Sequence, residues 1–489
     1  MQPLPLISHD SPDAVVAYRD GSAIPACRFL ADVRRVASIL PEGRRHMLNL
    51  CQDRYRFAVA LAASLLTGRV NLLPTTATPE VLGQMAAFAP DSFCLVDRDG
   101  CAGPLPVLPY PEGDEAGVDT GAVPQIEPDR LVAYVFTSGS TGIPMPHPKH
   151  WGPLVRNVRA EAQRLGLSDR RSFAIVATVP SQHMYGFETA VLLPLQSGSA
   201  LLAGRPFYPA DICSALASMP EPRILVTTPV HLRALLASGL EPPELDLVIS
   251  ATAPLSDSLS QAVETSLRTR ILEIYGCTET GQIATRFPTR GPEWRLYPGV
   301  RLETQRDQTW VEGGHVEGRV PLGDLIERTG DDRFLLRGRT ADLVNIAGKR
   351  SSLAYLNQVL GAVPGVRDGV FFMPRREGAD AVARLAALVV APGLDAPTLM
   401  AELRLRIDPA FLPRPLVLVE RLPRNATGKL PRQALEALIP GPGRAAPCRE
   451  SRAEGTPRPP LPVGEARGEG NDPGDRDYHP QGWRGRHDR

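Results

Sequence analysis

Short apolar runs ending in Thr or Ser recur along the chain: LVAYVFT (131–137), SFAIVAT (172–178), RILVTT (223–228) and LDLVIS (245–250). None alternates apolar with polar positions, so each predicts a strand buried on both faces, as in parallel sheets covered by helices. Upstream, RFAVALAASLLTG (56–68) predicts a buried helix closed by glycine, and DSFCLVDRDG (91–100) a strand entering a turn. A layered α/β fold follows. From about 295 to 337 the pattern becomes short strands with Gly and charged turns, and 340–440 is a smaller helix-and-strand segment. The boundaries are a large N-terminal α/β domain over 1–338 and a small α+β C-terminal domain over 339–440. Residues 441–489 are rich in Pro, Gly and charge and almost lack β-branched residues, so they form no core and are expected to be disordered.

Composition changes this picture in two places. The 54 Lys plus Arg balance the 54 Asp plus Glu, so no charge excess points to nucleic acid or an acidic membrane surface. No stretch is long and apolar enough for a membrane span, and MQPLPLISHD lacks the features of a secretory signal, so a cytoplasmic protein with reduced cysteines is expected. The seven cysteines are scattered and form no CxxC pair, which argues against a disulfide scaffold or a zinc site. Only Lys149, Lys349 and Lys429 are lysines. GC-rich coding drift explains the excess of arginine; a lysine that survives it is a candidate for a role a planar guanidinium does not fill.

The strongest local signal is YVFTSGSTGIP (134–144), a buried strand running into Thr137, Ser138, Gly139, Ser140, Thr141 and Gly142. Small hydroxyls and exposed backbone N–H groups suit polyphosphate binding. It is not the Walker pattern, which needs Lys and then Ser or Thr after the second glycine.

TSGSTG, followed in order by YGCTE, GDL, GR and NATGKL, resembles the adenylate-forming superfamily of acyl- and aryl-CoA synthetases, peptide-synthetase adenylation domains and luciferases. The resemblance covers about residues 15–440. It implies an N-terminal adenylation domain, a mobile C-terminal domain and a two-step reaction. ATP and a carboxylate give an acyl-adenylate and pyrophosphate; a thiol then takes the acyl group and AMP leaves. It also implies that Thr137 to Gly142 bind the β and γ phosphates, that Tyr275 stacks on adenine, that Thr278 touches the α phosphate and that Glu279 holds Mg²⁺. Asp324 would accept the ribose hydroxyls, with Arg339 near ribose or phosphate. Lys429 would stabilise the charge that grows during adenylation, and His183 would line the acyl pocket. In SATAPL (250–255) alanines and Thr252 stand where the family has glycines, which narrows the expected pocket.

Two departures stand out. The family continues its phosphate loop with Pro-Lys-Gly, whereas this chain reads Pro144, Met145, Pro146, His147, Pro148, Lys149. Either Lys149 and His147 take over the phosphate contact, or the loop works differently and Lys149 is a solvated loop lysine. At the hinge, Ala341 and then Asp342 stand where the family has Asp or Lys. Ser181 and Gln182 stand where amino-acid-activating relatives carry Asp, which favours an aryl or fatty acid over an amino acid. PMPHPKHW resembles the compact ligases of aryl-polyene and xanthomonadin-type clusters, which load an aromatic starter onto an acyl carrier protein. The acceptor is then a carrier-protein phosphopantetheine or CoA. The alternatives are a fatty acyl-CoA synthetase, a nucleotide-binding regulator or scaffold without turnover, and a luciferase-like oxidative relative.

Overall fold

The computed structural model describes residues 2–74, 76–98, 103–111, 121–138, 144–167, 172–305, 308–339, 343–346, 349–374, 384–425 and 428–439. The described residues up to Ile439 belong to one compact unit. Its centre is an open sheet whose parallel strands run, in spatial order, Arg270–Cys277, Leu247–Ser250, Arg223–Thr227, Ala174–Ala177, Ala200–Leu202 and Val15–Arg19. Antiparallel strands Gly281–Arg286, Trp294–Leu296, Arg333–Arg339 and Asp324–Arg328 extend it beyond Arg270–Cys277.

The unbroken apolar runs have a direct cause. Ile175, Ala177, Ile224, Val226 and Ile249 join one core, while Ala174, Val176, Leu225 and Val248 join another on the opposite face. Successive strand residues point to opposite faces, so a sheet covered on both sides needs apolar residues at every position. The first core is shared with the Arg54–Leu66 helix, expected from 56–68, in which Phe57 to Ala63 are all buried. Asp53 caps that helix by accepting the Arg56 N–H at 2.9 Å, and Gly68 follows its end at φ +71°.

Leu131–Ser138 is the expected strand, but it lies in a second, six-stranded sheet rather than beside the 174–250 strands. It runs parallel to Val70–Leu73 and antiparallel to Pro144–His150, which forms the sheet edge. Sequence reading did not anticipate this edge strand, because Pro144, Pro146 and Pro148 argue against a strand. They are tolerated because they alternate: Met145, His147 and Lys149 keep the N–H groups available for pairing, and the proline side offers none to another chain. Alternation also puts Met145, His147 and Lys149 on one face.

The C-terminal part is α+β, as expected. Strands Asp368–Phe372, Ala386–Val390 and Leu416–Leu418 form a small sheet with helices Leu353–Gly361 and Ala396–Arg404. Leu356, Leu360, Phe371, Val389, Leu399 and Leu403 build its own core. The tail 441–489 and the hinge positions Ala341 and Asp342 lie outside the described residues.

Candidate active site

Parallel strands end together, so the segments that follow them converge at one edge of the sheet. A cleft of about 280 Å³ there is lined by Thr178, Val179, Pro180, His183, Thr228, His231 and Thr252. Among the described residues its lining carries hydroxyls and imidazoles and no carboxylate. Thr252, in the SATAPL turn, holds φ +76°, an uncommon conformation for a β-branched residue, and its buried Oγ1 has no hydrogen-bond partner among the described residues. His231 Nδ1 lies 2.9 Å from Thr228 Oγ1, and the Phe207 ring meets the imidazole edge-on at 5.2 Å between centroids. His183 Nδ1 accepts the Tyr185 N–H at 3.3 Å, which leaves Nε2 to carry the proton. Burial, with the Lys429 ammonium nearby, takes the His183 imidazole down to about 4, so it is neutral at physiological pH.

Lys429 arrives from the C-terminal part. Gly428, at φ +79°, brings the chain against the Pro229–Ala237 helix, where an added Cβ would lie 3.0 Å from Val230 Cγ2. Arg424 anchors this turn: Nη2 and Nε donate to the Asp368 carboxylate at 2.9 and 3.1 Å, and Nη1 donates to Gly428 O at 3.0 Å. Lys429 itself is exposed.

The expected nucleotide residues are partly assembled. The Tyr275 hydroxyl donates to Asp324 Oδ2 at 2.6 Å, which joins the proposed adenine and ribose contacts into one element. Trp294 and Phe334 pack against the Tyr275 ring at 5.5 and 5.8 Å. Asp324 and Arg339 are cross-strand partners. Thr278 and Glu279 occupy the turn between Arg270–Cys277 and Gly281–Arg286. Thr137 Oγ1 lies 3.0 Å from His147 Nε2, and Ser138 ends the strand. Gly139, Ser140, Thr141 and Gly142 lie outside the described residues.

Burial alone would raise the Glu279 pKa. Hydrogen bonds within its own turn and from the Cys277 thiol, with His147 and Lys149 nearby, bring it below the ordinary value instead. The carboxylate is therefore ionised and, at 43% side-chain exposure, open to a ligand. An anionic oxygen donor of this kind suits a hard divalent cation such as Mg²⁺.

Sequence reading left Lys149 open between a phosphate contact and a solvated loop residue. It is 6% exposed, and its Nζ donates to the Glu279 carbonyl at 3.1 Å, so it is not solvated. Nor could sequence single out Glu188 and Glu161, both buried behind it. Glu161 accepts from Thr189 Oγ1 at 2.9 Å and Gln282 Nε2 at 3.1 Å, and Tyr297 donates to Gln282 Oε1 at 3.1 Å. Burial pushes the Glu161 carboxyl up to about 8 despite those donors. His231, Arg424 and Asp368 were also missed: only the fold brings His231 to the cleft and pairs Arg424 with Asp368 beneath the Gly428 turn.

The AMP-binding enzyme family model matches residues 36–305, over half of the chain. The 4-coumarate–CoA ligase of Rhodobacter capsulatus is 34% identical over 273 residues, which cover 56% of this chain and 66% of that one. A 4-chlorobenzoate–CoA ligase from an Arthrobacter species is 27% identical over 369 residues, 66% of this chain and 69% of that one. The fold is that of ATP-bound MatB from Rhodopseudomonas palustris: TM-score 0.74 at 20% identity, covering 88% of this chain and 96% of that one. With the ordered motifs and the converging cleft, these likenesses establish that the chain belongs to the AMP-binding enzyme family, within the adenylate-forming superfamily.

Proposed function

We propose that the chain is an AMP-forming acid–thiol ligase that activates an aromatic carboxylic acid. A carboxylate oxygen attacks the α phosphorus of ATP, the bond to the β-phosphate oxygen breaks and pyrophosphate leaves. A thiol sulfur then attacks the acyl carbonyl, its proton passes to solvent and AMP leaves. Glu279 would hold Mg²⁺, which would supply charge neutralisation at the phosphates. Thr137, Ser138, Gly139, Ser140, Thr141 and Gly142 hold the β and γ phosphates, Thr278 the α phosphate, Tyr275 the adenine, and Asp324 and Arg339 the ribose. Lys429 places an ammonium where charge grows on the carboxylate and α phosphate. His183, neutral, lines the acyl pocket.

The observation that supports this reading is the packing of the Gly428 turn on Val230, the neighbour of His231 in the cleft wall, so that Lys429 follows a residue seated against the helix that borders the cleft. Among the described residues the lining carries no carboxylate to pair with an amino acid's ammonium, and the likeness to 4-coumarate– and 4-chlorobenzoate–CoA ligases supports an aromatic acid. Residues 339–440 act as the mobile domain that delivers Lys429 and then yields the site to the thiol. The acceptor is the phosphopantetheine of a carrier protein, with CoA as the second candidate. No described helix is long and apolar enough to cross a membrane.

The test is pyrophosphate release from Mg·ATP across benzoates, cinnamates, fatty acids and amino acids, with CoA or a carrier protein as acceptor. An aryl-selective signal completed by the carrier supports the full reading. Completion by CoA alone removes the carrier, selectivity for fatty or amino acids removes the aryl assignment, and ATP binding with no release removes the enzyme.

A further inference from the structure

The phosphate-loop reading leaves Lys149 without a task, yet its surroundings are built around it. The side chain enters from the edge strand into a small cleft lined by Asn157, Glu188, Glu279, Gly281, His315 and Glu317 among others. Burial opposes its charge, and the Glu188, Glu317 and Glu279 carboxyls that line the same cleft favour it. The turn above the cleft has no slack: a Cβ at Gly281, where φ is +72°, would lie 2.6 Å from Asn157 Nδ2 and 2.7 Å from Glu188 Oε1. Asn157 also donates to Glu188 from below. Glu188 belongs to a π-helical turn, Gly186–Leu192, a geometry that recurs at functional sites. From the other side, His147 Nε2 approaches Glu279 Oε1 at 3.7 Å. Lys149 and His147, two apart on one strand face, thus bond the main chain and approach the side chain of the same residue.

We propose that Lys149 is a positioning residue of the nucleotide site, which holds the Thr278–Thr280 turn from below through the Glu279 carbonyl, in the cleft it shares with the buried Glu188, and so fixes where the Glu279 carboxylate meets Mg²⁺. The inference rests on the reading of Glu279 as the metal ligand. An ammonium buried under the turn does not travel with the phosphates, so the role differs from direct phosphate binding. A compact, flexible-stemmed cation fits this cleft where a planar fork would not, which accounts for a lysine in an arginine-dominated chain.

Burial pushes the Glu188 carboxyl up to about 8, with Lys149 opposing that rise, so the informative variant is Lys149→Met combined with Glu188→Gln, which removes the ammonium without leaving a titratable carboxyl beneath the turn. The readout is ATP affinity by calorimetry on the full chain, in EDTA and across a Mg²⁺ titration, with Glu279→Gln in parallel. The double variant is expected to bind ATP in EDTA as the unchanged chain does, but to need about tenfold more Mg²⁺ for half-maximal tightening, the loss of one hydrogen bond from a charged donor. A Mg²⁺ requirement equal to that of the unchanged chain, while Glu279→Gln loses Mg²⁺ dependence, overturns the role of Lys149 alone. Mg²⁺ dependence that survives Glu279→Gln overturns the metal-ligand reading and the inference with it. A double variant that no longer folds assigns Lys149 to stability and also overturns it.

Discussion

Lys429→Ala isolates the step on which the functional reading turns. The side chain is exposed, and its turn is held by main-chain and Arg424 contacts that alanine leaves in place, including Lys429 N to Asn425 Oδ1 at 2.8 Å. The expected loss of stability is therefore within about 0.5 kcal/mol, the range of surface substitutions. The catalytic loss is of another order: deleting one preorganised charge at a developing anion costs about 3–4 kcal/mol, or roughly 10²–10³ in rate. Pyrophosphate release at saturating Mg·ATP and acid should fall by that factor, while equilibrium ATP binding changes little. A synthetic acyl-adenylate should still pass its acyl group to the thiol. The variant also carries an internal reporter. Lys429 helps hold the His183 imidazole down, so removing the charge should raise the His183 titration midpoint observed by NMR, with burial still keeping it below the ordinary value. Unchanged pyrophosphate release would refute the assignment, and an unmoved His183 midpoint would refute the docked geometry of the Gly428 turn.

Gly281→Ala and Gly239→Ala share a left-handed backbone, φ +72° and +69°, but only Gly281 faces atoms under 3.0 Å. The second should cost about 1 kcal/mol and the first about 2–4, by denaturant midpoint; equal costs would refute the close packing of the turn on Asn157 and Glu188. Burial raises the Glu161 pKa to about 8 in the fold from 4.5, so the folded state keeps a proton that the unfolded chain has lost. This contribution is complete below about pH 4.5 and is lost as pH rises to about 8. Glu161→Gln, which mimics the protonated form, should flatten that part of the stability profile, and an unchanged slope would show that another group governs it. Deleting residues 441–489, which lack the apolar content for a core, should leave adenylation and the thermal midpoint nearly unchanged; loss of either would give the tail a working role.

Fold class was legible because the physics that makes a doubly covered sheet is local to each strand. Ala174 to Ala177 must satisfy one core at odd positions and another at even ones, and the sequence records both as one unbroken apolar run. Sheet membership is not recorded that way. Leu131–Ser138 looks like its neighbours in sequence yet pairs with Val70–Leu73 and Pro144–His150, because pairing is decided by partners far along the chain. The edge strand was hidden for a sharper reason. Proline is normally counted against a strand, but at alternate positions of an edge it removes only N–H groups that have no partner there.

The same distinction divides the site. Tyr275, Thr278, Glu279, Asp324 and Lys429 stand in short ordered motifs, because each must present one group beside its neighbours in the chain. Lys149, Glu188 and Arg424 act through groups 130, 31 and 56 residues away, namely Glu279, Asn157 and Asp368, and no local pattern marks them. Composition nevertheless left a trace. In a chain where arginine has displaced lysine almost everywhere, Lys149, Lys349 and Lys429 persist, and Lys149 lies beneath the Glu279 turn while Lys429 follows the Gly428 turn. The first position asks for a point charge on a slender stem that enters a small cleft, and the proposed role of the second asks for one that reaches a carboxylate. A guanidinium would be too broad for the former and would fix several donors in the latter. Scarcity thus pointed to Lys149, which motif matching did not, whereas Lys429 was marked by both.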